Sequence, residues 1–97
     1  MPQRKSADWM EQLDERIMEN LSAEGWSSPT VMASRRGFAA TPARIRERCE
    51  FLRFAGLVYS EWDGAYELTT WGELYLEGEI DAEHQPRPSA DRLNSFS

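Results

Sequence analysis

The strongest structural signals in the chain lie in residues 28–68, which read SPTVMASRRGFAATPARIRERCEFLRFAGLVYSEWDGAYEL. Two hydroxyl–proline pairs in this stretch, Ser28-Pro29 and Thr41-Pro42, are typical of helix starts. The hydroxyl can accept a hydrogen bond from a free backbone N–H group, and proline at the first helical position loses no needed bond. These signals predict a short helix over residues 29–36 and a longer helix over residues 42–55.

The end of the same stretch predicts a β-hairpin over residues 57–68. Leu57 to Tyr59 form an apolar run, and Tyr66 and Leu68 alternate with polar neighbours. Asp63-Gly64 between them is a common tight-turn pair, because glycine adopts the positive φ angles that such turns require.

A first helix is predicted over residues 9–24. We expect Asp8 to cap it, with Glu11 at capping-box spacing, and Gly25 to end it. Asp14 lies off the apolar stripe of this helix, which consists of Met10, Leu13, Ile17 and Leu21.

A last helix is predicted directly after the hairpin. Thr69 or Thr70 caps it, and Glu73 lies at capping-box spacing from Thr70. Its apolar contacts come from Trp71, Leu74, Tyr75 and Ile80.

The order helix, helix, helix, hairpin, helix predicts a mainly α fold with a small β-hairpin, a winged helix-turn-helix with a C-terminal helix. In such folds the third helix lies in the DNA major groove. We expect residues 1–7 to form a frayed N-terminal arm and residues 8–82 to form the domain. Residues 83–97 read as a polar, proline-containing tail that stays disordered unless a partner orders it.

Charge is distributed unevenly along the chain, whose net charge is −6. Residues 35–53 contain six arginines and two glutamates, so this segment carries +4 and the rest of the chain −10. A basic segment in an acidic chain is a candidate anion-binding face. Lys5 is the only lysine, and an acidic, lysine-poor composition suggests a cytoplasmic protein in a salt-rich cytosol.

The third helix supplies the main candidates for contact with double-stranded DNA. Arg44 and Arg46 flank its outer face, and Arg can form paired hydrogen bonds with phosphate or guanine. Thr41 is first a cap, whereas Arg35 and Arg36 either reach phosphate or complement the dipole of the second helix. The full predicted set is Ser28, Thr30, Arg35, Arg36, Thr41, Ala43, Arg44, Arg46 and Glu47.

Large aromatic side chains exceed what a small core can hide. The simplest placement of Trp26 and Trp71 is in the core, and exposed members of the set would form an interaction patch for a homodimer. The candidates for that patch are Trp9, Phe51, Phe54, Trp62 and Trp71. The hairpin carries acidic Glu61 and Asp63 but no basic residue at its turn, which disfavours contact with phosphate.

Two alternative functions follow from these features. The acidic hairpin and the spare aromatics also suit a winged-helix protein–protein interaction module that binds no DNA directly. A small-molecule sensor with an apolar pocket between two subunits is a third possibility, although nothing in the sequence indicates a ligand.

Other classes are disfavoured by composition. Cys49 and His84 are the only cysteine and histidine, so we expect no catalytic residues, no enzyme activity, no metal site and no cofactor. The longest apolar run, residues 54–59, is far shorter than the ~20 residues of a membrane span. No apolar signal-peptide core is present at the N-terminus.

Residues 6–82 resemble the haloarchaeal winged-helix family typified by the phage phiH repressor. The resemblance rests on SADWM at 6–10, LDERIMENL at 13–21, SSPTVMA at 27–33, RFAGLVYS at 53–60 and YELTTWGELYLEGEIDA at 66–82. The last of these is the most specific. The resemblance implies a DNA-binding transcription regulator that acts in a cytoplasm of high salt.

Overall fold

The computed structural model describes residues 3–61 and 63–88 as a mainly helical fold with one β-hairpin. The predicted winged-helix architecture is confirmed. The elements are α1 (Gln12–Glu24), α2 (Pro29–Ala33), α3 (Pro42–Phe54), β1 (Val58–Ser60), β2 (Tyr66–Leu68), α4 (Thr70–Leu76) and a short 3₁₀ helix (Ala82–His84).

Helix α1 begins three residues later than predicted, because a different carboxylate serves its N-terminus. Glu11 is the N-cap residue, and its backbone N–H donates to the Asp14 carboxylate at 2.9 Å. Asp8, the predicted cap, instead pairs with Arg87 at 2.7 Å. The prediction of Asp8 as the cap is therefore wrong.

Helix α2 ends three residues earlier than predicted. The Ser34 hydroxyl donates to the Val31 carbonyl at 2.7 Å, and the Arg35 N–H donates to the Met32 carbonyl at 3.0 Å. These short-range bonds tighten and close the last turn. Arg35 and Arg36 thus lie in the turn that follows α2, and Gly37 there has a φ of +91°.

The second strand of the hairpin, β2, pairs with β1 and also with the connector between α1 and α2. The two strands are antiparallel, with Val58 opposite Leu68 and Ser60 opposite Tyr66. Ser27, in the connector between α1 and α2, exchanges two backbone hydrogen bonds with Tyr66 at 3.1 and 2.7 Å. The connector before α2 is therefore fixed against the wing.

Thr69, and not Thr70, caps α4. Its hydroxyl accepts from the Gly72 N–H at 3.1 Å and donates to the Gly56 carbonyl at 2.6 Å. Helix α4 lies so close to the hairpin that a Cβ on Gly72 would sit 2.2 Å from the Leu57 carbonyl oxygen. Glycine is thus required at position 72 by this contact.

The core lies between α1, α3, α4 and the hairpin. It combines the apolar stripe of α1 with the inward face of α3 and the start of the hairpin. Its wholly buried side chains include Ile17, Met18, Leu21, Met32, Ile45, Cys49, Leu52, Leu57, Val58 and Tyr75.

The two ends of the described chain pack against each other. The Ala82 N–H donates to the Lys5 carbonyl at 2.9 Å, and Ala7 is buried. The Asp8 N–H donates to Glu83 at 2.8 Å. Lys5 and Ala7 of the predicted arm thus contact the domain, Glu83 and Arg87 contact Asp8, and residues 89–97 of the predicted tail lie outside the described residues.

Candidate nucleic-acid interface

A buried ion pair fixes α3 against α1. Two guanidinium nitrogens of Arg48 donate to the two Asp14 carboxylate oxygens, each at 2.8 Å, and both side chains are almost fully buried. Arg48 also donates to the Trp9 carbonyl at 3.2 Å and stacks 4.5 Å from the centre of the Phe51 ring. This pair sets which face of α3 remains open to solvent.

The open face of α3 borders a cleft of about 710 Å³. The cleft lies between the start of α2, the first half of α3 and the hairpin turn. Four predicted DNA-contact residues line it together, namely Ser28, Thr30, Ala43 and Arg46. The other lining residues are Pro29, Pro42, Glu50, Ser60, Asp63, Gly64 and Tyr66.

The other predicted contact residues lie outside that lining and have local partners in several cases. The Thr41 hydroxyl accepts from the Arg44 N–H at 3.1 Å, so its capping role is confirmed. Arg44 pairs with Glu11 at 2.5 Å and also with Glu47. Arg35 pairs with Glu24 at 3.0 Å.

Arg46 is the cation best placed to act in the cleft. Its side chain is exposed, and it makes no ion pair within 4.0 Å to any residue of the described ranges. A guanidinium without a fixed partner can approach a ligand without first breaking a contact. Arg46 is therefore available for a ligand that enters the cleft.

Glu50 places a fixed negative charge on the cleft wall. It accepts from Arg53 at 2.7 and 3.0 Å and from the Tyr66 hydroxyl at 2.5 Å. Partial burial raises the pKa of Glu50, but the bonds from Arg53 and Tyr66 outweigh it and hold the pKa below its usual value. The carboxylate thus stays ionised, and its orientation is fixed.

The hairpin is acidic in the structure as well as in the sequence. The Tyr59 hydroxyl donates to Glu67 at 2.5 Å, and a hydrogen bond shared with Glu67 raises the pKa of Glu61. Asp63 reaches the cleft from the turn. Trp62, a predicted interaction residue, lies outside the described residues.

Two tryptophans are exposed instead of buried. Trp26 is 60% exposed and Trp71 is 52% exposed, so the expectation that both lie in the core is wrong. Trp9, Phe51 and Phe54 are half-buried. Trp26 lies one residue before Ser27, which pairs with Tyr66 of the hairpin, and Trp71 lies in the first turn of α4.

Asp14 is the residue that sequence reasoning missed. Its position off the apolar stripe gave no sign that it is fully buried. The signal that points to it is Arg48, whose place near the inward face of α3 requires a buried counter-charge.

Cys49, one residue further on, is also buried, and burial raises the pKa of its thiol to about 12.

Neither a membrane span nor a metal cluster is found in the part of the chain that the structure describes. No helix there is long and apolar enough to cross a bilayer. No group of three or more His, Cys, Asp or Glu side chains there is arranged to hold a metal ion.

The three helices, the turn between α2 and α3, and the hairpin that follows them define a winged helix-turn-helix protein. Residues 3–86 match the family described as winged helix-turn-helix phage repressor. The chain therefore belongs to that family, which places it among DNA-binding regulators in general and confirms the resemblance found in the sequence.

A solved structure supports the same assignment. The chain is similar to the PhiH1 repressor-like protein from Haloarcula marismortui, with 31% sequence identity and a TM-score of 0.85. The similarity covers 91% of this chain and 100% of that one. No curated protein matches the chain.

Proposed function

We propose that this protein is a repressor-like transcription regulator that reads duplex DNA with α3 in the major groove. The observation that carries the proposal is the cleft that gathers Ser28, Thr30, Ala43 and Arg46 on the open face of α3. Membership of a phage repressor family supports it. Its action is binding alone, with no catalysed step.

The chemistry of the cleft suits contact with base edges. Ala43 is small and lets the helix approach the groove closely. Arg46 can form two hydrogen bonds to guanine, and exposed Glu47 can accept one from the amino group of cytosine. The positive end of the α3 helix dipole, at the Ala43 N–H, favours phosphate.

The negative charges around the cleft limit binding that relies on phosphate alone. Glu50 and Asp63 both line it, and each repels the DNA backbone. We infer that short-range hydrogen bonds to bases contribute more than long-range attraction. Such a balance suits a salt-rich cytosol, because at ~1 M salt the screening length is only ~3 Å.

Substitution of Arg46 tests the proposal. We expect Arg46→Ala to weaken binding to a labelled random-sequence duplex several-fold, because the arginine loses its contacts with phosphate and with the guanines that such a duplex presents. Its melting temperature should stay unchanged, because the side chain is exposed and forms no ion pair within the described residues. Fluorescence anisotropy over a series of KCl concentrations measures the binding.

Arg87→Ala is the matched control, since it removes the same charge from an exposed side chain outside the cleft. We expect it to bind DNA nearly as well as the unmodified protein. Equal losses in the two variants would mean that only net charge matters. Normal binding by Arg46→Ala would refute the assignment of the cleft.

A protein-interaction module is the second candidate function. The observation that favours it is the exposure of Trp26 and Trp71, which a protein partner or a second copy could cover.

We propose that a homodimer is the simplest arrangement, because two copies would double the contact with DNA. Absence of DNA binding at every KCl concentration would favour the interaction module.

A further inference from the structure

We propose that Glu11 restrains sequence-independent DNA binding by competing with DNA phosphates for Arg44. The inference rests on the proposed function and concerns a residue outside the cleft. Glu11 lies at the start of α1, far from α3 in sequence, yet its carboxylate meets the outer face of α3. It is a specificity-determining residue that acts on Arg44, a predicted DNA-contact residue.

The geometry of the contact resembles that of arginine with phosphate. One terminal nitrogen of Arg44 lies 2.5 Å from a Glu11 oxygen, and the other terminal nitrogen pairs with Glu47. A carboxylate oxygen presents the same acceptor chemistry to guanidinium as a phosphate oxygen. Arg44 is therefore already satisfied when DNA is absent.

Glu11 is held in place by further contacts. Its second carboxylate oxygen lies 3.1 Å from a nitrogen of buried Arg48. Its backbone N–H donates to buried Asp14 at 2.9 Å. Because these contacts fix both ends of the residue, little extra conformational freedom is lost when it binds Arg44.

The ion pair between Glu11 and Arg44 is partly exposed, so a DNA phosphate can displace Glu11 from Arg44. The side chains of Arg44 and Glu11 are 41% and 42% exposed, so solvent screens their attraction. A phosphate that takes Arg44 must first displace Glu11. Arg46 makes no ion pair within 4.0 Å to the described residues, and the nearby Glu50 acts on it only through longer-range attraction, so contacts made by Arg46 are reduced less.

The competition between Glu11 and DNA phosphates should change how the DNA-binding constant depends on salt concentration. Each arginine that neutralises a phosphate adds about 0.9 to the slope of log K against log salt. While Glu11 holds Arg44, that arginine contributes little to the slope. The protein should thus bind random DNA weakly, with a shallow dependence on KCl.

Two variants of Glu11 test the inference. Glu11→Gln removes the charge, and Glu11→Asp keeps the charge and a capping carboxylate but shortens the reach to Arg44. We expect both to bind a random-sequence duplex up to about five-fold more tightly at low KCl, with the slope steeper by up to about one. Thermal melting verifies that each variant is folded.

Two controls isolate the contact. Glu79→Gln makes the same charge change at an exposed position with no side-chain partner among residues 3–61 and 63–88, and it should leave the slope unchanged. In an Arg44→Ala background, Glu11→Gln should give no gain. A gain that persists there, or Glu11 variants that match Glu79→Gln, would overturn the inference.

The outcome separates this inference from the proposed function. If Arg46→Ala weakens binding but neither Glu11 variant strengthens it, the competition is wrong and the DNA-binding role stands. If neither the unmodified protein nor any variant binds DNA, both are wrong.

Discussion

Two single residues, Asp14 and Arg48, form a buried ion pair between α1 and α3. A carboxylate and a guanidinium removed from water are costly unless they satisfy each other, and here two 2.8 Å bonds do so. The pair joins the first turn of α1 to the middle of α3. It therefore positions the helix that carries Arg44 and Arg46.

Loss of one partner should destabilise the fold strongly. We expect Asp14→Asn to lower the free energy of unfolding by about 3–5 kcal/mol, because Arg48 would stay buried with its main counter-charge removed. Urea unfolding measures this change. The double variant Asp14→Leu/Arg48→Met, which removes both charges, should be more stable than Asp14→Asn. A change below about 0.5 kcal/mol in Asp14→Asn would show that the pair does not hold the helices together.

Single-residue roles were predictable where they follow from local spacing. The capping hydroxyl of Thr41 is set by neighbours within one helical turn. The burial of Asp14 depends on Arg48, 34 positions away, and the Arg44–Glu11 contact spans 33 positions. Such contacts depend on how helices pack, which the spacing of residues in one helix does not reveal.

Among the secondary-structure elements, α3 depends most on its first turn. The Thr41 hydroxyl accepts from the Arg44 N–H at 3.1 Å, and Pro42 follows at the first helical position. The cap holds the backbone of the residues that face the cleft. It therefore links the stability of α3 to the position of Ala43 and Arg46.

Removal of this cap should cost stability by a small and measurable amount. We expect Thr41→Ala to lower the free energy of unfolding by about 1 kcal/mol, which for a chain of this size lowers the melting temperature by about 4–8 °C. Thr41→Ser keeps the hydroxyl and should melt close to the unmodified protein. Differential scanning calorimetry measures both. Equal melting of the alanine and serine variants would refute the capping role.

The starts and ends of helices were predictable to different degrees. The two hydroxyl–proline pairs located the starts of α2 and α3 correctly, since cap and proline act within one turn. The start of α1 was wrong because Asp8 and Glu11 are both acidic, and a contact with Arg87 takes Asp8 away. The end of α2 was wrong because Ser34 closes the helix before Gly37.

For the molecule as a whole, charge sets the conditions under which it can bind DNA. The net charge of −6 opposes approach to DNA, and the acidic hairpin adds to this. The cleft beside α3 combines ionised Glu50 with Arg46, which makes no ion pair within 4.0 Å to residues 3–61 and 63–88. We therefore expect binding that is local, selective and less dependent on attraction at a distance than that of basic repressors.

The architecture was predictable because the order of helices and hairpin admits few arrangements. The caps, prolines and turn residues predict three helices, a hairpin and a last helix within 97 residues, and this order is typical of a winged helix. The contacts of Lys5 with Asp81 and Ala82 were not predictable, since polar sequence at a terminus usually indicates fraying. Exposed Trp26 and Trp71 were also missed, because residue size alone does not show which large side chains the helices cover.

A titration of ¹⁵N-labelled protein with a random-sequence DNA duplex, followed by NMR, tests most directly whether the cleft beside α3 binds DNA. We predict that the largest amide shift changes fall at the start of α2 and the first half of α3, around Ser28, Thr30, Ala43 and Arg46. Largest changes on α4 around Trp71, or no change at any amide at low KCl, would contradict this assignment.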